Sequence, residues 1–476
     1  MTLDPDFGWH LQFGRLVLHT HMIPIRDTYS YTMPSFHFIN HEWGSDIIIA
    51  SLYDKWGMWP LSILFALISV STLYFLTKGV NAKWAALPLF LIGGTVIDFT
   101  GIRPQMFTWV FTALVISLLW QKKIWQKWRF FIPLLFLIWA NIHGGFFIGI
   151  VIVGWFIFGG TIESRRLDRK DCGVFLLSLL ATLCNPYGYH LWIEVLLTIT
   201  DQGLHWGIEE WNPAIAFTNI AFWLYIAISF SLIIRYRRHF SYKILGLYAL
   251  LFLSGMSSMR NIPVFAVVSF YPTVLATEYF YKEAGTYLYG KERFMRAYIG
   301  FVIICVAFFL PQVGIFVYSF IIDSNGPSSY PEGAVTYIRN HLPPGNVFSS
   351  YDWGGYLIWQ LPEKKVFIDG RMPTWKNSTA PLNESTYAFG DYEKLLNSKI
   401  SFAEVSKKYN IDAVLASTND LHQQHLILFG KDVDNSWLLK PFSSQNWSFA
   451  LIIAQVKKMG WKEVYHDNTA VVFERK

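Results

Sequence analysis

Charged residues are scarce in this chain. Asp, Glu, Lys and Arg together make up 15% of its 476 residues, whereas a soluble domain averages about 25%. Hydrophobic residues reach 53%, and the mean hydropathy is +0.31. This shortage of charge argues against a soluble protein and indicates a membrane protein. The net charge of +6 does not indicate nucleic acid, because most Lys and Arg lie in short loops between apolar runs, where they set topology and attract lipid headgroups.

Cysteine is also scarce. The three cysteines, Cys172, Cys184 and Cys305, lie in or beside apolar runs. Their spacing fits neither a metal site nor a disulfide framework. Internal repeats and low-complexity tracts are absent from the sequence as well.

Long apolar runs are abundant. A membrane-spanning helix needs about 20 mostly apolar residues. The sequence predicts ten spans, near residues 58–77, 84–101, 104–121, 130–142, 145–160, 173–185, 218–235, 243–259, 261–277 and 297–322. We therefore predict a polytopic α-helical membrane protein.

The connections between these spans alternate in charge. Every second connection carries a cluster of Lys and Arg, such as the one at 122–129, whereas the connections on the other face carry only Arg103 and Arg260. The positive-inside rule then places residues 1–57 and everything after 323 outside the cytoplasm. Such an N-terminal segment needs a preceding helix for export, so we expect one more span upstream. The alternative is translocation of the N-terminus without a signal.

The composition changes after the last apolar run. Residues 323–330 form a linker rich in Ser, Gly and Pro. Residues 331–476 alternate predicted helices with predicted strands, which indicates a small extracytoplasmic α/β domain. We predict strands at 346–350, 365–369, 411–417 and 470–474, and helices at 331–342, 391–397, 402–409 and 447–459.

Two carboxylates open the first outer segment, residues 1–57. Asp4 and Asp6 flank a proline, and His10 follows closely. Carboxylates two residues apart can share a divalent cation, Mg²⁺ or Mn²⁺, or position one general base. The alternative is a pair of solvated loop aspartates or a helix cap. His41 and Glu42 end the same segment. Neighbouring side chains suit separate contacts, and a core histidine is the alternative.

Two isolated arginines occur in the short outer connections. Arg103 and Arg260 could each hold a lipid phosphate through a bidentate guanidinium contact. The alternative is snorkelling to the interface or, for Arg103, an ion pair with Asp98. His143, in the sequence Asn-Ile-His-Gly-Gly at 141–145, is a further site candidate, whereas Asn-Pro-Tyr-Gly at 185–188 indicates a turn.

Further outward-facing candidates follow. Glu210 and Trp211 lie in the long outer loop. In the C-terminal domain, aromatic rings beside glycines at Trp353 and Tyr356, together with an Asp-Gly-Arg turn after a predicted strand, suit ligand binding. The candidates for ligand contact in this domain are Trp353, Tyr356, Asp369 and Arg371.

The order of these motifs resembles one superfamily. Asp-x-Asp, Trp-His-Leu, His-Glu-Trp, Arg-Pro-Gln, Asn-x-His-Gly-Gly, Asn-Pro-Tyr-Gly and finally Trp-Gly-Gly-Tyr with Asp-Gly-Arg occur in sequence over nearly the whole chain. This order is similar to that of bacterial multi-spanning proteins of the glycosyltransferase C superfamily, in a mannosyltransferase-like and lipid A-modifying-like group. The helix that normally precedes the first outer loop is absent from this sequence.

The resemblance implies an outward-facing enzyme of the cell membrane, here a bacterial inner membrane. It would take a sugar from a polyprenyl-phosphate carrier and pass it to a glycan, lipid or protein acceptor, with inversion. Asp6, or Asp4 with it, would be the catalytic base; Arg103 or Arg260 would bind phosphate. The remaining acceptor or donor contacts would be His10, His41, Glu42, His143, Glu210 and Trp211. No cofactor is certain, and a divalent cation on the two aspartates stays an alternative.

Two other classes remain open. A transporter or flippase for a lipid carrier predicts polar residues through the depth of the spans and on both faces. A non-catalytic membrane scaffold with an outer binding domain predicts that Asp4, Asp6, Arg103 and Arg260 lie far apart.

The topology can be tested by cysteine accessibility. A cysteine near residue 125 should react with a membrane-impermeant thiol reagent only after the cytoplasmic side is opened, because the loop there is basic. A cysteine near residue 205 should react in intact cells. The reverse pattern of labelling would contradict the predicted orientation.

Overall fold

The computed structural model describes residues 4–201, 203–204, 208–287, 296, 299–300, 303, 330–422, 427–428, 431–432 and 449–475. Most of the tenth predicted span, 297–322, and residues 323–329 of the predicted linker lie outside this set. Every candidate site residue lies within it.

Helices dominate the first part of the chain, including the segment before the first span. That segment contains α1 (Phe7–Thr20) and α2 (Trp43–Trp56). The helices that follow are α3 (Met58–Thr77), α4 (Ala82–Val96), α5 (Gln105–Trp120), α6 (Lys122–Trp128), α7 (Ile132–Ile142), α8 (Phe146–Ser164), α9 (Arg169–Ala181), α10 (His190–Thr200), α11 (Ile220–Arg235), α12 (Tyr242–Ser257) and α13 (Ile262–Tyr287). The first nine predicted spans each coincide with one of these helices.

The spans pack around a central helix. Four described helical stretches are long and apolar enough to cross a membrane. In the one at Met259–Glu283, 83% of the 18 most apolar consecutive residues are buried, compared with 28% in Met58–Thr77. The central stretch contains most of α13, which contacts α4, α5, α11 and α12. Hydroxyl groups inside the spans mostly bond to their own helix, as Thr72 Oγ1 does to the carbonyl of Ile68, so they cost little in an apolar environment.

The C-terminal part contains a mixed four-stranded sheet in the order β1-β2-β6-β5. The strands β1 (Asn346–Ser349) and β2 (Ile411–Ser417) are parallel, and β6 (Ala470–Glu474) is antiparallel to β2 and to β5 (Lys462–His466). The short strands β3 (Ile427–Leu428) and β4 (Lys431–Asp432) pair separately. The helices are α14 (Glu332–Asn340), α15 (Gly354–Gln360), α16 (Ala388–Leu396), α17 (Phe402–Lys408), α18 (Thr418–His422) and α19 (Phe449–Lys458).

The strand predicted at 365–369 is wrong as a member of this sheet. Val366 instead forms an isolated bridge with Ser30 of the first segment. The amide of Tyr31 donates to the carbonyl of Val366 at 3.1 Å, and the amide of Val366 donates to the carbonyl of Tyr29 at 2.9 Å. The apolar run at 365–369 predicts a strand, but the backbone partners of Val366 lie in the first segment of the chain.

One buried arginine ties these two regions together. Arg371 donates to both carboxylate oxygens of Asp369 at 2.7 Å, and its Nη1 lies 2.9 Å from Asp27 Oδ1. The rings of Tyr29 and Trp375 cover the guanidinium at 4.9 and 5.1 Å. The Arg371 side chain is 1% exposed and that of Asp27 is 0% exposed, so the charges depend almost entirely on one another.

Replacing Arg371 should destabilise the protein strongly. Arg371→Ala leaves two carboxylates buried without a counter-charge, which costs about 3–5 kcal/mol. The exposed pair of Arg15 with Asp54 is the matched control, since Arg15→Ala should cost less than about 1 kcal/mol. Thermal unfolding in detergent measures both. Equal losses in the two variants would contradict a stabilising role for the buried pair.

Candidate active site

The arginine after the fourth helix joins three distant segments. Arg103 pairs through Nε with Asp4, and its Nη1 lies 2.5 Å from Glu210 Oε1. The alternative pairing of Arg103 with Asp98 is wrong, because Asp98 accepts a hydrogen bond from Asn219 at 2.8 Å. The chain Asp4–Arg103–Glu210 therefore connects the first segment, the connection between α4 and α5, and the long outer loop.

Asp6 lies directly beside this chain. Its backbone N–H donates to Asp4 Oδ1 at 2.8 Å. It occupies the position before α1, but its side chain forms no capping bond, so the simple helix-cap alternative does not describe it. Burial and the neighbouring charge of Asp4 raise the pKa of the Asp6 carboxyl to about 7. Such a group exchanges a proton readily near neutral pH.

Glycines of the C-terminal domain form the wall against which Asp6 lies. A Cβ at Gly370 would fall 1.8 Å from Asp6 Oδ1, and one at Gly355 would fall 2.1 Å from the carbonyl oxygen of Pro5. A Cβ at Gly8, on α1, would fall 1.9 Å from the carbonyl oxygen of Gly355. Only hydrogen fits at these three positions without displacement, so the backbone around Asp6 is held against the C-terminal domain.

His10 is one turn further along α1, and its amide bonds to the carbonyl of Asp6. Its Nδ1 lies 2.6 Å from Asp46 Oδ1, its Nε2 lies 3.7 Å from Glu42 Oε2, and Asn40 donates to the other oxygen of Asp46 at 2.6 Å. Burial alone would lower the pKa of His10, but the Asp46 carboxylate and its hydrogen bond outweigh burial and raise the pKa to about 9. His10 is therefore an imidazolium at neutral pH.

Glu42 is surrounded by histidines. Its Oε1 lies 3.2 Å from His143 Nε2 and 3.9 Å from His41 Nε2. The amide of Gly145 and the hydroxyl of Thr108 contact His143 Nδ1 at 2.8 and 2.9 Å. Because an amide can only donate, His143 Nδ1 is an acceptor and its Nε2 carries the proton that faces Glu42. Burial would raise the pKa of Glu42, but His143 and the other two histidines outweigh burial and hold it well below its usual range.

His41 and Glu42, which the sequence predicts to make separate contacts better than to share a metal, both lie beside His143. The ring centroids of His41 and His143 are 6.0 Å apart. Burial lowers the pKa of His41 to about 4. This imidazole is therefore neutral, unlike that of His10, and can both donate and accept a hydrogen bond.

The second of the two isolated arginines, Arg260, lies near Glu210. The guanidinium of Arg260 is 5.3 Å from the ring centroid of Trp211. Burial would raise the pKa of Glu210, but the charges of Arg103 and Arg260 outweigh burial and lower it. Within the described part of the chain, Arg260 has no carboxylate within 4 Å. Its charge is thus less neutralised than that of Arg103.

The four C-terminal candidates are buried. Trp353 and Tyr356 are each 6% exposed, and Asp369 and Arg371 belong to the buried ion pair with Asp27. A ligand would have to displace these partners to reach the two charges, so their contact with a ligand stays a prediction. Gly370, between them, is the member of the turn that reaches the site.

Several residues at the site were not singled out from the sequence, namely Asn40, Asp46 and Thr108. Asp46 could have been noticed, since it is an acid in the first turn of α2 directly before three isoleucines. The others are ordinary residue types whose role depends on distant neighbours.

The positive charges next to Asp4 and Asp6 are side chains of the protein itself. Arg103 contacts Asp4, and His10 lies near Asp6. Among the described residues there is no group of three or more His, Cys, Asp or Glu side chains arranged to hold a metal ion. A divalent cation on Asp4 and Asp6 therefore stays a prediction, and one binding there would share Asp4 with the guanidinium.

Solved structures resemble this chain, although no family model and no curated protein sequence matches it. The oligosaccharyltransferase of Archaeoglobus fulgidus in the apo form matches 87% of this chain at a TM-score of 0.57 and 13% identity. This chain covers only 66% of that protein. ArnT from Cupriavidus metallidurans in the apo state matches 99% of this chain and 93% of its own, at a TM-score of 0.51 and 10% identity.

At these identities the likeness concerns the fold. Both neighbours belong to the glycosyltransferase C superfamily. The chain therefore shares the fold of these two structures, and its several apolar helices and C-terminal sheet domain fit the predicted polytopic membrane protein.

The charge of His10 should make stability depend on pH. Its folded pKa of about 9 exceeds the ordinary value of about 6.5, so the stabilisation is complete below pH 6.5 and is lost as pH rises through 9. The loss should be on the order of 2–3 kcal/mol. Unfolding measured from pH 7.5 to 10, above the pKa of Asp6, should show this decline in the parent protein and a flatter profile in His10→Gln. The control His466→Gln, at an exposed histidine, should keep the parent slope. An unchanged slope in His10→Gln would contradict the assignment.

Proposed function

We propose that the protein is a membrane glycosyltransferase that moves a sugar from a polyprenyl-phosphate-linked donor to an acceptor at the outer face of the membrane. One observation carries this proposal: acidic and basic side chains from five separate segments converge beside Asp6, a carboxylate suited to act as a base. The converging side chains are Asp4, Asp6, His10, Glu42, Arg103, His143, Glu210 and Arg260.

Asp6 is the proposed base. Its pKa of about 7 suits proton abstraction at neutral pH. The acceptor hydroxyl gives its proton to the Asp6 carboxylate, and the acceptor oxygen forms a bond to the anomeric carbon of the donor. The bond from that carbon to the phosphate oxygen breaks, the carrier phosphate leaves with the electron pair, and the configuration inverts. Asp4 orients Asp6 through the bond to its amide.

Arg260 is the proposed contact for the departing phosphate. Its guanidinium lies over an aromatic ring and beside Glu210, whereas Arg103 is already engaged by Asp4 and Glu210. A phosphate that gains charge as it leaves is stabilised by a preorganised cation. Arg103 mainly holds the acids in place, so the two arginines, which were equal candidates for binding phosphate, differ in their proposed roles.

The two rival classes are less well supported. A scaffold would leave Asp4, Asp6, Arg103 and Arg260 far apart, but an unbroken set of contacts and charge interactions links them. A carrier flippase would place polar groups through the depth of the spans. In the described spans the buried polar residues are mainly Ser and Thr, and charges lie toward the helix ends.

The same reasoning supports an outward-opening site in a bacterial inner membrane. All the converging segments belong to the predicted outer face. The basic loops belong to the other face, where Arg129 is paired with Asp168 and Asp171.

Turnover by an Asp6 variant tests the proposal. Mass spectrometry of lipids that co-purify with the protein identifies the carrier, and sugar transfer from that carrier is then measured. Asp6→Asn should lower the transfer rate by about 10²–10⁴-fold without loss of folding, since the amide cannot accept the proton. Asp54→Asn, an exposed acid of the same segment, should retain the parent rate. Full turnover in Asp6→Asn would exclude Asp6 as the base.

A further inference from the structure

An open groove separates the membrane helices from the C-terminal domain. Its volume is about 560 Å³, within the range of roughly 300–1,000 Å³ that small-molecule sites have. Residues of α3, of the connection before α5, and of α14 and α15 line it. The residues used in the argument are Met58, Ile102, Tyr330, Glu332, Thr336 and Trp359.

The wall formed by the C-terminal domain is aromatic. Tyr330 stacks on Tyr356 with ring centroids 4.7 Å apart, and Tyr356 meets Trp359 edge to face at 6.1 Å. Phe7 and Tyr53 hold the Trp359 ring from behind, at 5.4 and 5.8 Å. Flat rings with one polar edge present an apolar face to a ligand and still bond to hydroxyl groups. The C–H face of a sugar ring matches such a surface.

The rim of the groove on α14 is polar. Glu332 and Thr336 are exposed and lie one turn apart. Glu332 forms no ion pair with any cation in the described part of the chain, so its oxygens can accept bonds from ligand hydroxyls. Arg339 bonds to the carbonyl of Gln360 and so fixes the distance between α14 and α15. A carboxylate beside stacked rings favours a neutral polyhydroxyl ligand over an anion.

The opposite wall of the groove is formed by the membrane helix α3. Met58 and Ser62 are in the first two turns of α3, an apolar helix long enough to span the bilayer. Trp56 and Trp59, close by, are 49% and 62% exposed, as interfacial tryptophans are. The groove therefore opens at the level of the lipid headgroups.

One end of the groove adjoins the segment that carries Arg103. Ile102, in the groove lining, immediately precedes Arg103, and Arg103 pairs with Asp4. Burial raises the pKa of the Tyr330 hydroxyl, and the charges of Asp4 and Asp6 raise it further. The groove is thus next to the segment that holds the carboxylates.

We propose that this groove binds the saccharide head of a membrane-anchored glycolipid, which serves as the acceptor. The role as acceptor rests on the proposed function, whereas the binding itself does not. The aromatic wall holds a sugar ring, Glu332 accepts its hydroxyl protons, and the lipid tails remain beside α3. One hydroxyl of the sugar is thereby directed to Asp6.

Binding can be measured without turnover. The protein in nanodiscs of phosphatidylethanolamine is incubated with monoglucosyl or monomannosyl diacylglycerol, or with diacylglycerol of the same acyl chains, and bound lipid is counted by native mass spectrometry. A soluble disaccharide is the fourth probe. At least one glycolipid should be retained about tenfold more than diacylglycerol and than the disaccharide, which corresponds to about 1.4 kcal/mol.

Two variants locate the binding. Thr336→Trp places a large side chain in open space within the groove and should lower glycolipid retention about tenfold, and Glu332→Gln should lower it about threefold, as loss of one good polar contact does. Ala403→Trp, an exposed helical position of the same domain outside the groove, should retain the parent value.

The possible results of these experiments distinguish the groove proposal from the proposed catalytic role of Asp6. Equal retention of glycolipid and diacylglycerol, preference for the soluble disaccharide, or unchanged retention in Thr336→Trp overturns the groove proposal. If binding is lost only in the groove variants while Asp6→Asn transfers sugar at the parent rate, the groove stands and the catalytic proposal fails.

Discussion

The guanidinium of Arg103 lies between two carboxylates that are more than two hundred residues apart in the chain. Asp4 belongs to the first segment and Glu210 to the long outer loop, and each would be costly to bury without a counter-charge. Since all three groups are more buried than exposed, neither acid can leave without uncovering the charge of Arg103. The position of Asp6, which bonds to Asp4, depends on this arrangement.

Next to these three residues, the carboxylates of Asp46 and Glu42 lie beside histidines. His10 is charged because Asp46 is beside it, Glu42 is ionised because histidines face it, and His41 is neutral because burial dominates. The same residue type therefore carries different charges within one cavity. The carboxyl of Asp6 has a pKa near neutrality because burial disfavours its charged form and the negative charge of Asp4 disfavours it further. Environment thus separates Asp6, whose carboxyl has a raised pKa, from Glu42 and Glu210, whose pKa values are lowered.

The C-terminal domain is part of this centre. Gly355 and Gly370 permit its backbone to approach Pro5 and Asp6 at distances that no side chain would allow. The buried pair of Arg371 with Asp27 then fixes the domain against the first segment. The domain therefore shapes the site even though its aromatic and charged candidates are themselves buried. Close backbone contact also explains why the Trp-Gly-Gly and Asp-Gly-Arg stretches stood out in the sequence.

The sequence by itself determined the membrane architecture. Apolar length located nine described helices, alternating strands and helices indicated the C-terminal α/β domain, and motif order pointed to the correct fold. The sequence also selected Asp4, Asp6, Arg103 and Glu210, because neighbouring carboxylates and a lone arginine between apolar runs are visible in one dimension. Only the tertiary structure decided how they pair. Arg103 pairs with Asp4 and Glu210 instead of the nearby Asp98. Val366 pairs with Ser30 instead of joining the four-stranded sheet. The charges of His10 and His41 depend on their neighbours and on burial. Such pairings depend on distances across folded segments, which local composition does not contain.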